Sequence, residues 1–107
     1  MRPFTALLSA AALVALLSAP AHAQSNGATL FHSNCQVCHG ADGTGNTQIG
    51  HALKVANLHS QAVVKLSNAE IANTIRNGKS PMPAFGSKLT SPQIEALVAY
   101  VRTLQKK

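Results

Sequence analysis

The chain has 107 residues, of which 46% are hydrophobic and 11% charged, and this composition excludes a disordered polymer. With no Trp, one Tyr and three Phe it lacks the side chains that usually fill a core, and so small a domain buries only about 60 to 65% of its unfolded surface, so a non-protein group is expected to complete it. Nine Lys and Arg against three Asp and Glu give a net charge of +6, but the cations are scattered without aromatic interleaving, which speaks against nucleic acid and for an acidic protein partner.

Residues 1–23 read as a secretory signal: Arg2 supplies the positive start, Phe4 to Leu17 are almost all apolar, and Ala21-His22-Ala23 has the small-x-small form of a cleavage site. The apolar run of about 14 residues is shorter than the roughly 20 needed to span a bilayer, so cleavage before Gln24 is expected rather than retention as an anchor. Residues 24–107 then form one domain with a charge of +5 once Arg2 is gone. It is expected to be soluble, periplasmic or secreted, monomeric, and without stable membrane insertion.

Strand signals are nearly absent, which predicts an all-α fold of three main helices. The first spans about 26–34, with Gly27, Leu30 and Phe31 on one face. It runs into Cys35-Gln36-Val37-Cys38-His39, which holds the only two cysteines of the chain. This is the C-x-x-C-H pattern of covalent c-type haem attachment. Two thiols three residues apart on a helical turn can add to the two vinyl groups of one porphyrin edge, and His39 follows as the proximal iron ligand. A disulfide or a thioredoxin-like redox pair competes, but no βαβ pattern surrounds the cysteines; a zinc site would need two further ligands from His39, His51, His59 or His32, none at paired finger-like spacing.

Gly40 to Gly50 read as loop, followed by short apolar anchors at Leu53, Val55 and Leu58. The second helix opens with the capping box Ser67-Asn68-Ala69-Glu70, carries Ile71, Ala72 and Ile75 on one face, and stops at Gly78. Ser80-Pro81-Met82-Pro83-Ala84-Phe85 then reads as a rigid extended loop. Met82 is the only thioether left once Met1 departs with the signal. A lone Met usually fills a gap in a core, but one clamped between two prolines suits a positioned sixth ligand. His51 and His59 are its rivals, and His32 lies too close to Cys35 to reach the far side. The third helix opens at Thr90-Ser91-Pro92-Gln93 and repeats Ile94, Leu97, Val98, Val101 and Leu104 along one stripe.

These motifs resemble the small class I c-type cytochromes, particularly short bacterial forms of the c6 or c553 kind. The resemblance rests on Gly27-x-x-x-Phe31, Cys35-x-x-Cys38-His39-Gly40, Gly78-x-x-x-Met82-Pro83-Ala84-Phe85 and Leu97-x-x-Tyr100. It implies the class I fold around one covalently attached haem, with His39 and Met82 on the iron, and one-electron transfer rather than enzymatic turnover. It also implies that Gly27 and Phe31 cross Leu97 and Tyr100. Leu53, Leu58, Ile75, Phe85, Leu89, Val98 and Val101 are the expected haem or core contacts. Many relatives have a Gly-Pro about a dozen residues after the proximal His, where a backbone carbonyl holds that His; Gly50-His51 stands there in this chain. A cytochrome subunit of a dehydrogenase or oxidase complex, or a haem enzyme or gas sensor with displaceable Met82, are the alternative readings.

Overall fold

The structure, a computed structural model, describes Pro3 and residues 26–107; apart from Pro3, the expected signal lies outside the described residues. Those residues form α1 (Gly27–Asn34), α2 (Gln36–His39), α3 (Gln48–Leu53), α4 (Gln61–Val64), α5 (Asn68–Asn77) and α6 (Ser91–Gln105), with one isolated antiparallel bridge, Lys79 to Met82. The three expected helices are α1, α5 and α6. In α5 the Ser67 hydroxyl accepts from the Glu70 N–H (3.1 Å) while the Glu70 carboxylate accepts from the Ser67 N–H (3.0 Å). Thr90 and Gln93 repeat the arrangement at α6, with Pro92 in its first turn. Such reciprocal caps satisfy donors that a helix start leaves unpaired.

α2 is the helical turn expected for the cysteine pair, and two further short helices, α3 and α4, lie outside the three expected. α3 begins inside the Gly40–Gly50 loop because Thr47 caps it, its hydroxyl accepting from the Gly50 N–H at 2.8 Å. It ends where Lys54 turns left-handed (φ 54°).

Among the described residues the buried apolar ones are Phe31, Ile71, Ile75, Phe85, Ile94, Ala96, Leu97, Val98, Val101 and Leu104. α1 lies on α6 at Gly27, where a Cβ would stand 2.3 Å from the Ala96 carbonyl oxygen and 2.9 Å from the Tyr100 Cβ, so only glycine permits the approach. One turn later Phe31 meets Tyr100, ring centroids 5.2 Å apart and tilted by 53°. Of the expected core contacts, Ile75, Phe85, Val98 and Val101 are buried, and Leu58 and Leu89 are half-buried against them. Leu53 does not join this core; it is 42% exposed at the end of α3, where the chain turns away.

The Ser80–Phe85 segment is not extended as expected. Lys79 and Met82 exchange backbone hydrogen bonds (3.1 and 2.8 Å), so the chain reverses. The reversal brings Phe85 N–H to the Ile75 carbonyl (2.9 Å) and Gly86 N–H to that of Arg76 (3.0 Å), which buries Phe85 while pairing the last carbonyls of α5. Proline fixes φ at a value that turns and extended chain share, so the dipeptides did not distinguish the two. Among the described residues no helix is long and apolar enough to cross a membrane.

Candidate functional site

Cys35 ends α1 and starts α2: its N–H donates to the Phe31 carbonyl (2.8 Å), and its own carbonyl accepts from the N–H groups of His39 (2.9 Å) and Cys38 (3.2 Å). Phe31 of α1, buried against Tyr100 of α6, therefore anchors the turn carrying the thiols. Residues three and four apart share a helix face, so Cys35, Cys38 and His39 project together. The thiols are not joined, and Cys35 packs against the buried cluster. Burial first, and the neighbouring Cys38 second, raise the Cys35 thiol to about 11. A redox-active dithiol needs the opposite shift. Nor do the described residues include a group of three or more His, Cys, Asp or Glu that could hold a metal ion, as the zinc reading would require.

The His39 ring is half-buried, and its Nδ1 faces the Ala56 carbonyl oxygen at 3.3 Å. Burial lowers its pKa, with the Ala56 hydrogen bond opposing more weakly, so the neutral ring is favoured. A neutral imidazole that donates from Nδ1 leaves the Nε2 lone pair available for a metal. The carbonyl is that of Ala56, not one at Gly50-His51 as expected. Between His39 and Ala56 the chain spends its length on a glycine-rich turn and α3, and a carbonyl is presented only after Lys54. Gly50 serves differently: a Cβ there would lie 2.4 Å from the Cys38 oxygen and 2.3 Å from that of Gly45. Thr47 donates to the Val37 carbonyl at 2.8 Å, so α3 is seated directly on the cysteine turn.

Met82 is half-buried and borders the same apolar cluster as Cys35, although 43 residues separate it from His39. The rival imidazoles are already engaged through Nε2: His51 donates to the Asn46 side chain (2.8 Å) and His59 to the Asp42 carbonyl (2.6 Å). His32 pairs its Nδ1 with Gln36 (2.9 Å). Lys79 and Lys88 are exposed on either side of Met82, with Lys88 Nζ 6.0 Å from the Phe85 ring centroid. The Ala56 carbonyl and the groups that fix its loop gave no sequence signal, because a backbone acceptor is carried by every residue type.

The donor set consists of two unjoined thiols beside a neutral imidazole, with a thioether at the edge of the same apolar cluster, and it fits a c-type haem. The aliphatic residues Val37 (58%), Ile49 (43%), Leu53 (42%) and Val64 (40%) are left exposed in the stretch from Cys35 to Leu66, a region with apolar surface to spare for a prosthetic group.

Residues 22–101 match the family described as cytochrome c oxidase, cbb3-type, subunit III. The chain is 39% identical over 97 residues to cytochrome c6 of Nostoc sp., covering 89% of this chain and 85% of that one. It is also 39% identical over 83 residues to the cbb3-type cytochrome c oxidase subunit FixP of Azorhizobium caulinodans, covering 77% of this chain but only 27% of FixP. Among solved structures, the KustC0563 c-type cytochrome superposes with a TM-score of 0.67 at 32% identity, over 74% of this chain and 96% of that one. Cytochrome c6C from Synechococcus sp. PCC 7002 gives 0.60 at 34% identity, over 77% and 98%.

Proposed function

Given that the chain belongs to the small class I c-type cytochromes and carries haem c, we propose that it is a freely diffusing one-electron shuttle, exported by residues 1–23 and working in the periplasm or outside the cell. Cys35 and Cys38 form the two thioethers, and His39 and Met82 are the axial ligands. The bound haem supplies the redox couple; the polypeptide holds it, excludes water and leaves one edge accessible. The observation that carries the reading is the Cys35–His39 turn, whose thiols are unjoined and whose imidazole is turned by the Ala56 carbonyl so that Nε2 is free. Met82 is favoured over His51 and His59 because both of those rings spend Nε2 on internal hydrogen bonds. Electron partners are acidic proteins met transiently, guided by Lys79 and Lys88 beside the Met82 turn.

Absorption spectra of the ferric and ferrous protein test this directly. His/Met ligation gives the weak sulfur-to-iron band in the ferric state and no change when carbon monoxide is added to the ferrous state. Absence of the band at neutral pH, or ready binding of carbon monoxide, would remove Met82 from the iron and favour the sensor or enzyme reading.

A second reading, a permanently bound subunit of an oxidase, is favoured by the cbb3-type family match and by FixP, of which this chain spans about a quarter. Gel filtration from native extract separates the two, because a shuttle elutes at the size of the single chain.

A further inference from the structure

The carbonyl that turns His39 sits in a stretch without regular structure, and something must hold it. Upstream, Val55 N–H donates to the Gly50 carbonyl (3.0 Å). Downstream, the Leu58 peptide is gripped on both sides: its N–H donates to the Gly43 carbonyl (2.8 Å), and its carbonyl accepts from the Gln105 side-chain amide (2.8 Å). His59 adds its hydrogen bond to the Asp42 carbonyl. Gln105 belongs to the last turn of α6, 47 residues away in sequence from Leu58.

The Gln105 amide is itself oriented. Its oxygen accepts from Arg102 Nη1 (2.9 Å), which leaves only the NH2 to face Leu58. Arg102 is fixed in turn, donating to the Asn68 side chain (2.9 Å), to the Val64 carbonyl (3.3 Å) and to the Leu66 carbonyl. A continuous chain of hydrogen bonds therefore runs from the start of α5, through Arg102 and Gln105, to the peptide two residues beyond Ala56.

We infer that Gln105 is a positioning residue for the haem iron: by clamping the Leu58 carbonyl it fixes the Ala56 carbonyl, and so sets the orientation and electron donation of the His39 ring. This inference rests on His39 being the proximal ligand. A firm acceptor at Nδ1 gives the imidazole more anionic character and favours ferric iron. Loosening the clamp should then weaken that hydrogen bond and raise the reduction potential, although the side-chain hydrogen bonds of Gln105 go to Leu58 and Arg102 and not to His39.

The test is Gln105→Met in the haem-loaded protein, a change that keeps length and neutrality but removes both the donor to Leu58 and the acceptor from Arg102. Thr103→Val is the control: its hydroxyl donates to the Tyr100 carbonyl at the same end of α6 and has no link to the loop. Exchange of the His39 Nδ1 proton with solvent is followed by NMR in the ferrous state, and the potential by redox titration. A net hydrogen bond of about 0.5–1.5 kcal/mol predicts exchange roughly 2- to 13-fold faster in Gln105→Met, with a higher potential. Thr103→Val should change neither. If Gln105→Met lowers thermal stability but leaves the exchange rate and potential at parent values, the residue is merely structural and the inference fails. If the parent shows no haem-shifted ring N–H for His39, the ligand assignment fails and the clamp fails with it.

Discussion

The two halves of the molecule are stabilised differently. Among the described residues, every buried apolar side chain belongs to α1, α5, α6 or Phe85. Between Cys35 and Leu66 the buried positions are Gly40, Gly43, Gly45 and Gly50, and this half is held by backbone hydrogen bonds and by Thr47, His59 and Gln105. The helical half is a packed core; the other half is a scaffold that leaves Val37, Ile49, Leu53 and Val64 exposed and reaches the core only through partly buried side chains such as Leu58 and Leu66. The cysteine turn and His39, the proposed haem attachment, lie in the second. A protein interior that is poor in side chains where a cofactor binds is the arrangement expected when the cofactor supplies the core.

The largest effect should come from withholding the cofactor. Cys35→Ala with Cys38→Ala is expected to leave a mostly unfolded chain, with residues 35–66 losing amide-exchange protection first and the α1–α6 contact last. Uniform loss across both halves would break the comparison.

Within the helical half, Leu97→Ala removes a side chain that is 1% exposed and should cost about 2–5 kcal/mol. In a domain this size each kcal/mol lowers Tm by about 4–8 °C, so calorimetry of the haem-loaded protein reads it easily. The potential should hardly move. Gly50→Ala makes the complementary test: a Cβ 2.4 Å from the Cys38 oxygen must shift the cysteine turn, costing about 1–3 kcal/mol. Unlike Leu97→Ala, it should also alter the haem spectrum.

Acid should act on the scaffold half first. The Asp42 carboxyl lies below the usual carboxylate range, chiefly because the Thr44 N–H (3.0 Å) and hydroxyl (2.8 Å) donate to it. A depressed folded-state pKa means its contribution is present above the unfolded value and is lost as pH falls through the folded one. Exchange protection around residues 42–46 should therefore drop in acid before that of α6, and Asp42→Asn should remove the pH dependence.

The smallest effect on stability and the sharpest on kinetics is expected from Lys79→Glu with Lys88→Glu. Electron transfer to an acidic partner should slow strongly at low salt and weakly at 0.15 M, because the Debye length falls from about 30 Å at 0.01 M to about 8 Å. An unchanged low-salt rate with unchanged potential would place docking elsewhere.

What the sequence made legible follows the same division. α1, α5 and α6 announce themselves through apolar periodicity and side-chain caps, whereas the crossing of Gly27 and Phe31 on α6 came from the resemblance to class I cytochromes and is seen where Gly27 meets Ala96 and Tyr100 and Phe31 meets Tyr100. The cysteine turn was readable because its spacing is chemical. The scaffold half was not: α3 is set by one hydroxyl, the Met82 turn by where Phe85 must be buried, and the His39 partner by a carbonyl that any residue could offer. Gln105 was hidden for the same reason, since its partner 47 positions away is another backbone group.

That a covalently held haem completes the scaffold half is tested most directly by intact mass before and after acid–acetone extraction. The account expects the mature chain plus one haem in both samples, and the bare mass from Cys35→Ala with Cys38→Ala. Loss of the haem mass from the parent protein on extraction would contradict it, since only a non-covalent cofactor leaves that way.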